Sequence, residues 1–213
     1  MPKTLPRKAL ISISSFSGAI YPGGLKTGLF YTEALHPFEV LTDAGFEVDL
    51  ASETGTCGLH SRLKKASELK SEDYGLFFAS AGHAALYDYP TAKDLQAVAA
   101  DIWDRGGIVG TVCHGPAILP GIIDPKTGKS IIEGKTVTGF TLEGEMLLGI
   151  LNKLREDKVT LVVHAVTGVG AFYSSSMGAM DDYSITCGRL VTGTNPASAR
   201  SAAERAVKAF DSL

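Results

Sequence analysis

Apolar runs of strand length alternate along this chain with stretches of helical period, and that alternation predicts a succession of βα units. Lys8 to Ser14 reads as a first buried strand, and Gly18 to Gly24, with Pro22, as the loop after it. Thr27 is placed to cap a helix that carries Leu29, Phe30, Leu35, Phe38, Val40 and Leu41 and stops at Gly45. Pro37 inside this helix deprives the Glu33 carbonyl of its usual donor and predicts a bend that would aim the Glu33 carboxylate inward. Phe46 to Ser52 is a second strand. Glu53 to Ser71 is a polar connection with a short helical piece around Leu63 to Leu69, and Tyr74 to Ala79 is a third strand ending in Ser80-Ala81-Gly82-His83. Thr91 opens an amphipathic helix through Leu95, Val98, Ile102 and Trp103 to a stop at Gly106-Gly107.

The next run, Ile108-Val109-Gly110-Thr111-Val112, meets Cys113-His114-Gly115-Pro116, where glycine and proline forbid the strand from continuing. The chain must turn at the cysteine. Beyond it come a surface turn at Asp124 to Lys129, a short strand at Lys135 to Phe140 and a helix from Leu142 to Leu154. A hairpin follows, Tyr183 to Thr186 and Arg189 to Thr192 about a Cys187-Gly188 turn, and Pro196 to Phe210 is a last helix. Strands separated by helices, with no hairpin until late, argue for an α/β fold with a mostly parallel sheet covered on both faces. Such sheets put their sites at the carboxyl ends of the strands, where Gly82 and Cys113 both fall.

Composition narrows the picture. The 213 residues carry no linker or charge block, which points to one domain over residues 1–213. A net charge of -3 leaves no electrostatic footprint for nucleic acid. No apolar run approaches the roughly 18 residues needed to span a bilayer, and the first residues lack a signal-peptide core. Cys57, Cys113 and Cys187 are odd in number and widely spaced, which suits free thiols in a reducing, cytoplasmic compartment, with the nucleus as a second setting. No two cysteines or histidines show ligand spacing and no glycine-rich phosphate loop occurs, so neither a metal nor a cofactor is expected.

The turn at Cys113 has the pattern of a nucleophile elbow, with Gly115 two positions on but Thr111 where a preceding glycine is usual. A thiol at the start of a following helix would feel its dipole, which favours thiolate; against this, free cysteine is often a buried apolar filler. His114 beside it can take or shuttle a proton. The loop at Gly82 and His83 can present N–H groups to an oxyanion, while the His83 side chain reads as an ordinary loop residue. Glu33 becomes an acid/base candidate only if it is buried beside Cys113, since a carboxylate of an amphipathic helix normally faces water. Glu145 either orients His114 or is a helix-start charge. His36 in the first helix, and His60 and His164 in connecting regions, suggest no chemistry.

Several blocks together resemble a known superfamily: Glu33-Ala34-Leu35-His36-Pro37-Phe38, Ser80-Ala81-Gly82-His83, Val112-Cys113-His114-Gly115-Pro116-Ala117, Thr138-Gly139-Phe140, Asp181-Asp182-Tyr183-Ser184 and Thr192-Gly193-Thr194-Asn195-Pro196. They are similar to the PfpI/Parkinsonism-associated deglycase superfamily, and within it to the glutathione-independent glyoxalases of the fungal heat-shock chaperone branch. The resemblance implies a flavodoxin-like three-layer sandwich, usually dimeric, that converts methylglyoxal, a small 2-oxoaldehyde, to D-lactate without a cofactor. Holdase and deglycase roles, hence unfolded client proteins, are also attributed to that branch. It implies Cys113 as nucleophile, His114 beside it, Glu33 as acid/base and Glu145 as the orienting carboxylate, with oxyanion donors from the backbone of Gly82 and His114. Two departures affect pocket shape: the Ser61 to Asp73 connection is shorter than usual, implying a reduced cap, and Ser176-Met177-Gly178-Ala179-Met180 stands where a Pro-Trp pair is usual. A glutamine amidotransferase is disfavoured, because His164 is the only histidine after His114 and no glutamate stands two positions beyond it. A peptidase on the same elbow stays open.

Overall fold

The computed structural model describes residues 5–57 and 63–213, so His60 and the start of the shortened connection lie outside the described residues. Its centre is a seven-stranded sheet built from β1 (Lys8–Ser12), β2 (Glu47–Ser52), β3 (Lys64–Lys65), β4 (Leu76–Ala79) and β5 (Ile108–Val112), with β10 (Ser184–Cys187) and β11 (Leu190–Gly193). The order is β10-β11-β5-β4-β1-β2-β3, parallel throughout except for the β10/β11 hairpin at one edge. Every residue of β4 and β5 is buried, as the unbroken apolar runs of strands covered on both faces require. Gly110 makes that packing possible: a Cβ there would stand 2.6 Å from the Phe78 ring.

α1 (Tyr31–Asp43) connects β1 to β2 in one direction across the sheet. α2 (Ala85–Asp88) and α3 (Lys93–Asp104) connect β4 to β5 in the other. Right-handed crossovers running in opposite directions put α1 and α3 on opposite faces. α7 (Ala199–Asp211) packs beside α1, completing its layer. The direction changes between β1 and β4, so the carboxyl ends of these strands open the crevice in which such folds place their sites.

The remaining elements are small. β6 (Ile123–Asp124) and β7 (Lys129–Ser130) form a two-residue ribbon, and β8 (Thr136–Val137) pairs in parallel with β9 (Phe172–Tyr173). α4 (Leu142–Leu147), α5 (Leu151–Glu156) and α6 (Val162–Thr167) lie between those two strands in sequence. No helix among the described residues is long and apolar enough to cross a membrane.

Several local expectations are corrected. Thr27 caps nothing, because α1 begins only at Tyr31 and has no side-chain cap. The helix does run through Pro37, to Asp43, and Glu33 belongs with Ala34, Pro37, Val40 and Leu41 to one buried stripe at helical spacing, which suffices to turn it inward. α3 starts after Ala92 rather than at Thr91, and the Glu53 carboxylate accepts from its free Asp94 and Leu95 N–H groups at 3.0 Å each. The segment around Leu63 to Leu69 holds an edge strand and a single 3-10 turn, Ala66–Glu68. The expected helix from Leu142 to Leu154 is broken into α4 and α5 by Gly149, whose φ is +68°. His164 lies within α6 rather than in a connection, and the hairpin turns on Gly188-Arg189, one residue later than expected.

Candidate active site

Cys113 leaves β5 with φ +58°, the left-handed region that L-residues avoid at a cost of roughly 1–2 kcal/mol. The turn is held from both sides: the Cys113 N–H donates to the Gly193 carbonyl at 2.9 Å, and the Phe140 N–H donates to the Cys113 carbonyl at 2.7 Å. Gly115 lets the chain bend back over the sheet, since a Cβ there would meet the Ala79 carbonyl oxygen at 2.5 Å. Such strained strand-to-helix turns present a nucleophile. The chain then enters a seven-residue 3-10 segment, Gly115–Gly121, with Pro116 and Pro120 inside it, and not an α-helix. The expected dipole is therefore weak. Burial and the neighbouring Glu33 push the Cys113 thiol well above its ordinary pKa, so the resting group is a thiol and not the anticipated thiolate.

Three side chains complete its surroundings. The His114 ring sits with Nδ1 3.2 Å from the Cys113 sulfur and Nε2 2.9 Å from Glu145 Oε1. Burial, and then the neighbouring His83, lower the His114 pKa to about 4, so the imidazole is neutral at physiological pH. Burial opposes ionisation of Glu145, but hydrogen bonds from His114 and His83 outweigh it and bring the pKa down to about 2. The pair is thus a carboxylate accepting from a neutral Nε2–H, which leaves Nδ1 bare and facing the thiol. Glu145 is directed inward from the first turn of α4, whose N-terminus Thr141 caps by accepting from the Gly144 N–H.

Glu33 is fully buried and neither carboxyl oxygen has a hydrogen-bond partner. Burial raises its pKa to about 8; the Cys113 thiol and the backbone at Ala81 counter this only in part, from beyond hydrogen-bonding geometry. Gly82 follows β4 with φ +140°, pressed against the segment before α1 so closely that a Cβ would lie 2.4 Å from the Gly28 carbonyl oxygen. Among the described residues the N–H groups of Gly82 and His114 donate to no backbone carbonyl, and the His114 N–H lies close enough to the Cys113 sulfur to favour its ionised form.

These groups open onto one cavity of about 300 Å³. It is lined by the polar groups of Glu33, His83, Cys113 and His114, by Gly82, and by Tyr21, Phe30, Phe140, Leu148, Met180 and Pro196. No lysine or arginine lines it among the described residues. Surface grooves of about 410 and 430 Å³ lie elsewhere, but neither is lined by a cysteine or a histidine.

The structure therefore brings together all six residues singled out from the sequence: Cys113, His114, Glu33, Glu145, Gly82 and His83. It corrects one of them. The His83 side chain is no idle loop residue: its Nε2 lies 2.9 Å from Glu145 Oε2 and its Nδ1 2.9 Å from the Tyr21 hydroxyl. Tyr21 joins the site with no sequence signal beyond its position in the glycine-rich loop after β1. That loop is pinned by Asp88, whose carboxylate accepts from Ser14 Oγ at 2.9 Å and from the Ser15 N–H at 2.6 Å. His83, His114 and Glu145 also place their ligand atoms within 4.8 Å of one another, a cluster able to hold a metal ion that spacing in the sequence did not suggest. A metal would have to displace both histidine–carboxylate hydrogen bonds.

Fold and site together define an α/β protein that turns a cysteine thiol and a protonatable carboxyl onto one buried cavity. No family profile matches the chain. It is 45% identical to the glutathione-independent glyoxalase HSP31 of Saccharomyces cerevisiae, over 96% of this chain and 98% of that one, and 43% identical to glyoxalase 3 of Candida albicans over the same shares. The chain belongs to the family of glutathione-independent glyoxalases. The crystal structure of glyoxalase III from Candida albicans superposes with a TM-score of 0.93 at 42% identity, covering 99% of both chains. A ThiJ/PfpI domain protein from Brachyspira murdochii, at 15% identity and a TM-score of 0.66, shares the fold.

Proposed function

We propose that the chain is a glutathione-independent glyoxalase that converts methylglyoxal to D-lactate on Cys113. The observation that carries this reading is Glu33, a buried carboxyl with no hydrogen-bond partner of its own, sharing with the Cys113 thiol a cavity that no lysine or arginine lines among the described residues. The thiol adds to the aldehyde carbon and its proton passes to the bare Nδ1 of His114. The backbone N–H groups of Gly82 and His114 hold the resulting oxyanion, each for about 3 kcal/mol. Ionised Glu33 removes the hydrogen from the former aldehyde carbon while the proton held on His114 passes to the adjacent carbonyl oxygen, which gives an enediol; Glu33 then returns its proton to the adjacent carbon as the first oxygen closes to the thioester carbonyl. Water then cleaves the lactoyl thioester, releasing lactate and the thiol. The oxidation of one carbon matches the reduction of its neighbour, so neither nicotinamide nor glutathione is consumed.

The walls of the cavity set the substrate class. Among the described residues the lining holds the Glu33 carboxyl and no lysine or arginine, with Glu145 behind His114, so a substrate bearing its own carboxylate or phosphate would be buried without a partner. D-lactate formation from methylglyoxal in a buffer free of glutathione is the deciding measurement. We expect kcat/KM for methylglyoxal to exceed that for glyoxylate or glyceraldehyde 3-phosphate by about 100-fold or more. Absence of lactate would overturn the reading, and efficient use of the anionic aldehydes would overturn the account of the walls.

The alignment with the Saccharomyces cerevisiae relative spans 233 positions, more than the 213 residues present here, so that relative carries residues this chain lacks. We infer that the difference falls in the connection after Ser61 and leaves a reduced cap. A reducing, cytoplasmic setting suits a working thiol. The exposed Leu25, Phe30 and Tyr31, at 68%, 50% and 69% accessibility, of which Phe30 also lines the cavity, support a further reading in which an unfolded client binds this apolar segment. Suppression of client aggregation is then expected to survive Cys113→Ala, and its loss in that variant would refute a separate chaperone surface.

A further inference from the structure

Glu145 serves two histidines, not one. Its Oε1 accepts from His114 and its Oε2 from His83, each at 2.9 Å, and the two rings stand 4.2 Å apart between centroids. The second histidine continues outward to the Tyr21 hydroxyl, 2.9 Å from His83 Nδ1. Tyr21 reaches the surface, where it lines a second groove with Gly149, Lys153 and Glu156. One assignment of protons satisfies the whole chain: Tyr21 O–H to His83 Nδ1, His83 Nε2–H to Glu145, His114 Nε2–H to Glu145, and Cys113 S–H to His114 Nδ1.

We propose that His83, held by Tyr21, is a positioning residue of this site: it occupies the second oxygen of Glu145 and keeps His114 a neutral Nε2–H imidazole whose Nδ1 is free to take the thiol proton. Both polar atoms of His83 are spent on Tyr21 and Glu145, so the residue acts through Glu145 and makes no polar contact with substrate. The mechanism is competition for one carboxylate. A donor on Oε2 draws charge from Glu145 and makes it a poorer acceptor toward His114, which weakens the pull that would hold a second proton on that ring. The groups facing His114 are Cys113 on its own turn, Glu145 from α4 and His83 from the loop after β4. Glu33 from α1 and Tyr21 from the loop after β1 face the same cavity, and Tyr173 of β9 is bonded to the Gly139 carbonyl. Of these, His83 is the one that draws on the same carboxylate.

The decisive experiment tracks the ring nitrogens of His114 by ¹⁵N NMR across pH in the whole protein. The variants are His83→Leu, His83→Gln and Tyr21→Phe, each with a melting curve. In the parent, His114 should be the Nε2–H tautomer near neutrality. Its titration midpoint should rise by about one pH unit or more in His83→Leu, which removes the donor on Oε2, and by less in His83→Gln, which can still donate there. Tyr21→Phe should shift the midpoint in the same direction, and adding it to His83→Leu should change nothing further, because both act through one chain of bonds. An unmoved midpoint in a folded His83→Leu, or additive shifts, would overturn the proposal; should His83→Leu not fold, an unmoved midpoint in Tyr21→Phe does so. The inference rests on the glyoxalase reading only for its kinetic consequence, a matching rise in the acid limb of kcat/KM. A parent that makes no lactate but shows these shifts refutes that reading and leaves the positioning role standing.

Discussion

Cys113→Ala is expected to remove lactate formation almost entirely, by a factor on the order of 10⁴ or more, with little change in thermal stability. The size comes from the mechanism: without the sulfur no hemithioacetal forms, and Glu33 has no anchored intermediate on which to move a proton. The small effect on folding comes from the turn. Alanine keeps the same penalty at φ +58° as cysteine, and both backbone hydrogen bonds of Cys113, to Gly193 and from Phe140, remain. Cys113→Gly should be equally inactive yet regain part of the roughly 1–2 kcal/mol stored in the left-handed backbone. Lactate assays paired with melting curves test both statements. Activity of Cys113→Ala above about one part in a hundred of the parent would show that the thiol forms no covalent bond to substrate.

Much of this arrangement is legible in the chain before any coordinates, and the reasons are physical. β4 and β5 are buried on both faces, so their apolar runs are unbroken, and the glycine and proline after Val112 leave the chain no course but a turn at Cys113. Glu33 is readable from helical spacing alone. Its spacing from Ala34, Pro37, Val40 and Leu41 puts it on the buried stripe of α1, where a carboxylate has no structural excuse. Glu145 is different, because a glutamate in the first turn of a helix is also what the helix dipole prefers, and only its distance to His114 separates the two readings. The His83 side chain is illegible. Its partners, Tyr21 and Glu145, lie 62 positions away on either side, and no local pattern encodes contacts brought together by the change of direction in the sheet. The protonation of the thiol is hidden for an energetic reason: the prolines allow only a 3-10 segment where a helix dipole was expected, and burial then decides in favour of the neutral form.

Glu33→Gln separates the cost of the site from its use. In the folded protein the Glu33 pKa is raised to about 8 from an ordinary 4.5, so the folded chain holds a proton that the unfolded chain has released. The contribution of Glu33 to stability is therefore at its full value below about pH 4.5 and falls as pH rises toward 8, the reverse of the usual behaviour of a paired carboxylate. At 1.36 kcal/mol per pH unit the accumulated penalty is on the order of 4 kcal/mol. Asp88, raised by burial to about 6, adds to the same slope only in its lower part. His114 and Glu145, whose pKa values are lowered, act in the opposite sense and only in acid, below the ordinary histidine value near 6.5. Between pH 7 and 8, then, the slope belongs mainly to Glu33. The parent is expected to lose about 1 kcal/mol per pH unit there, while Glu33→Gln stays flat. The variant should be more stable by about 2 kcal/mol at pH 8, after the cost of burying an unpartnered amide, and no more stable than the parent at pH 5. Its turnover should fall by roughly 10³-fold, because an amide cannot carry a proton from one carbon to the next. In the parent, kcat should climb with pH through about 8 as the carboxylate forms. Denaturant unfolding of both proteins at four pH values measures the first effect, and single-turnover lactate formation the second. A Glu33→Gln protein that is less stable than the parent at pH 8 would mean that the buried carboxyl is paired and that its raised pKa, and with it the proton transfer assigned to it, is wrong.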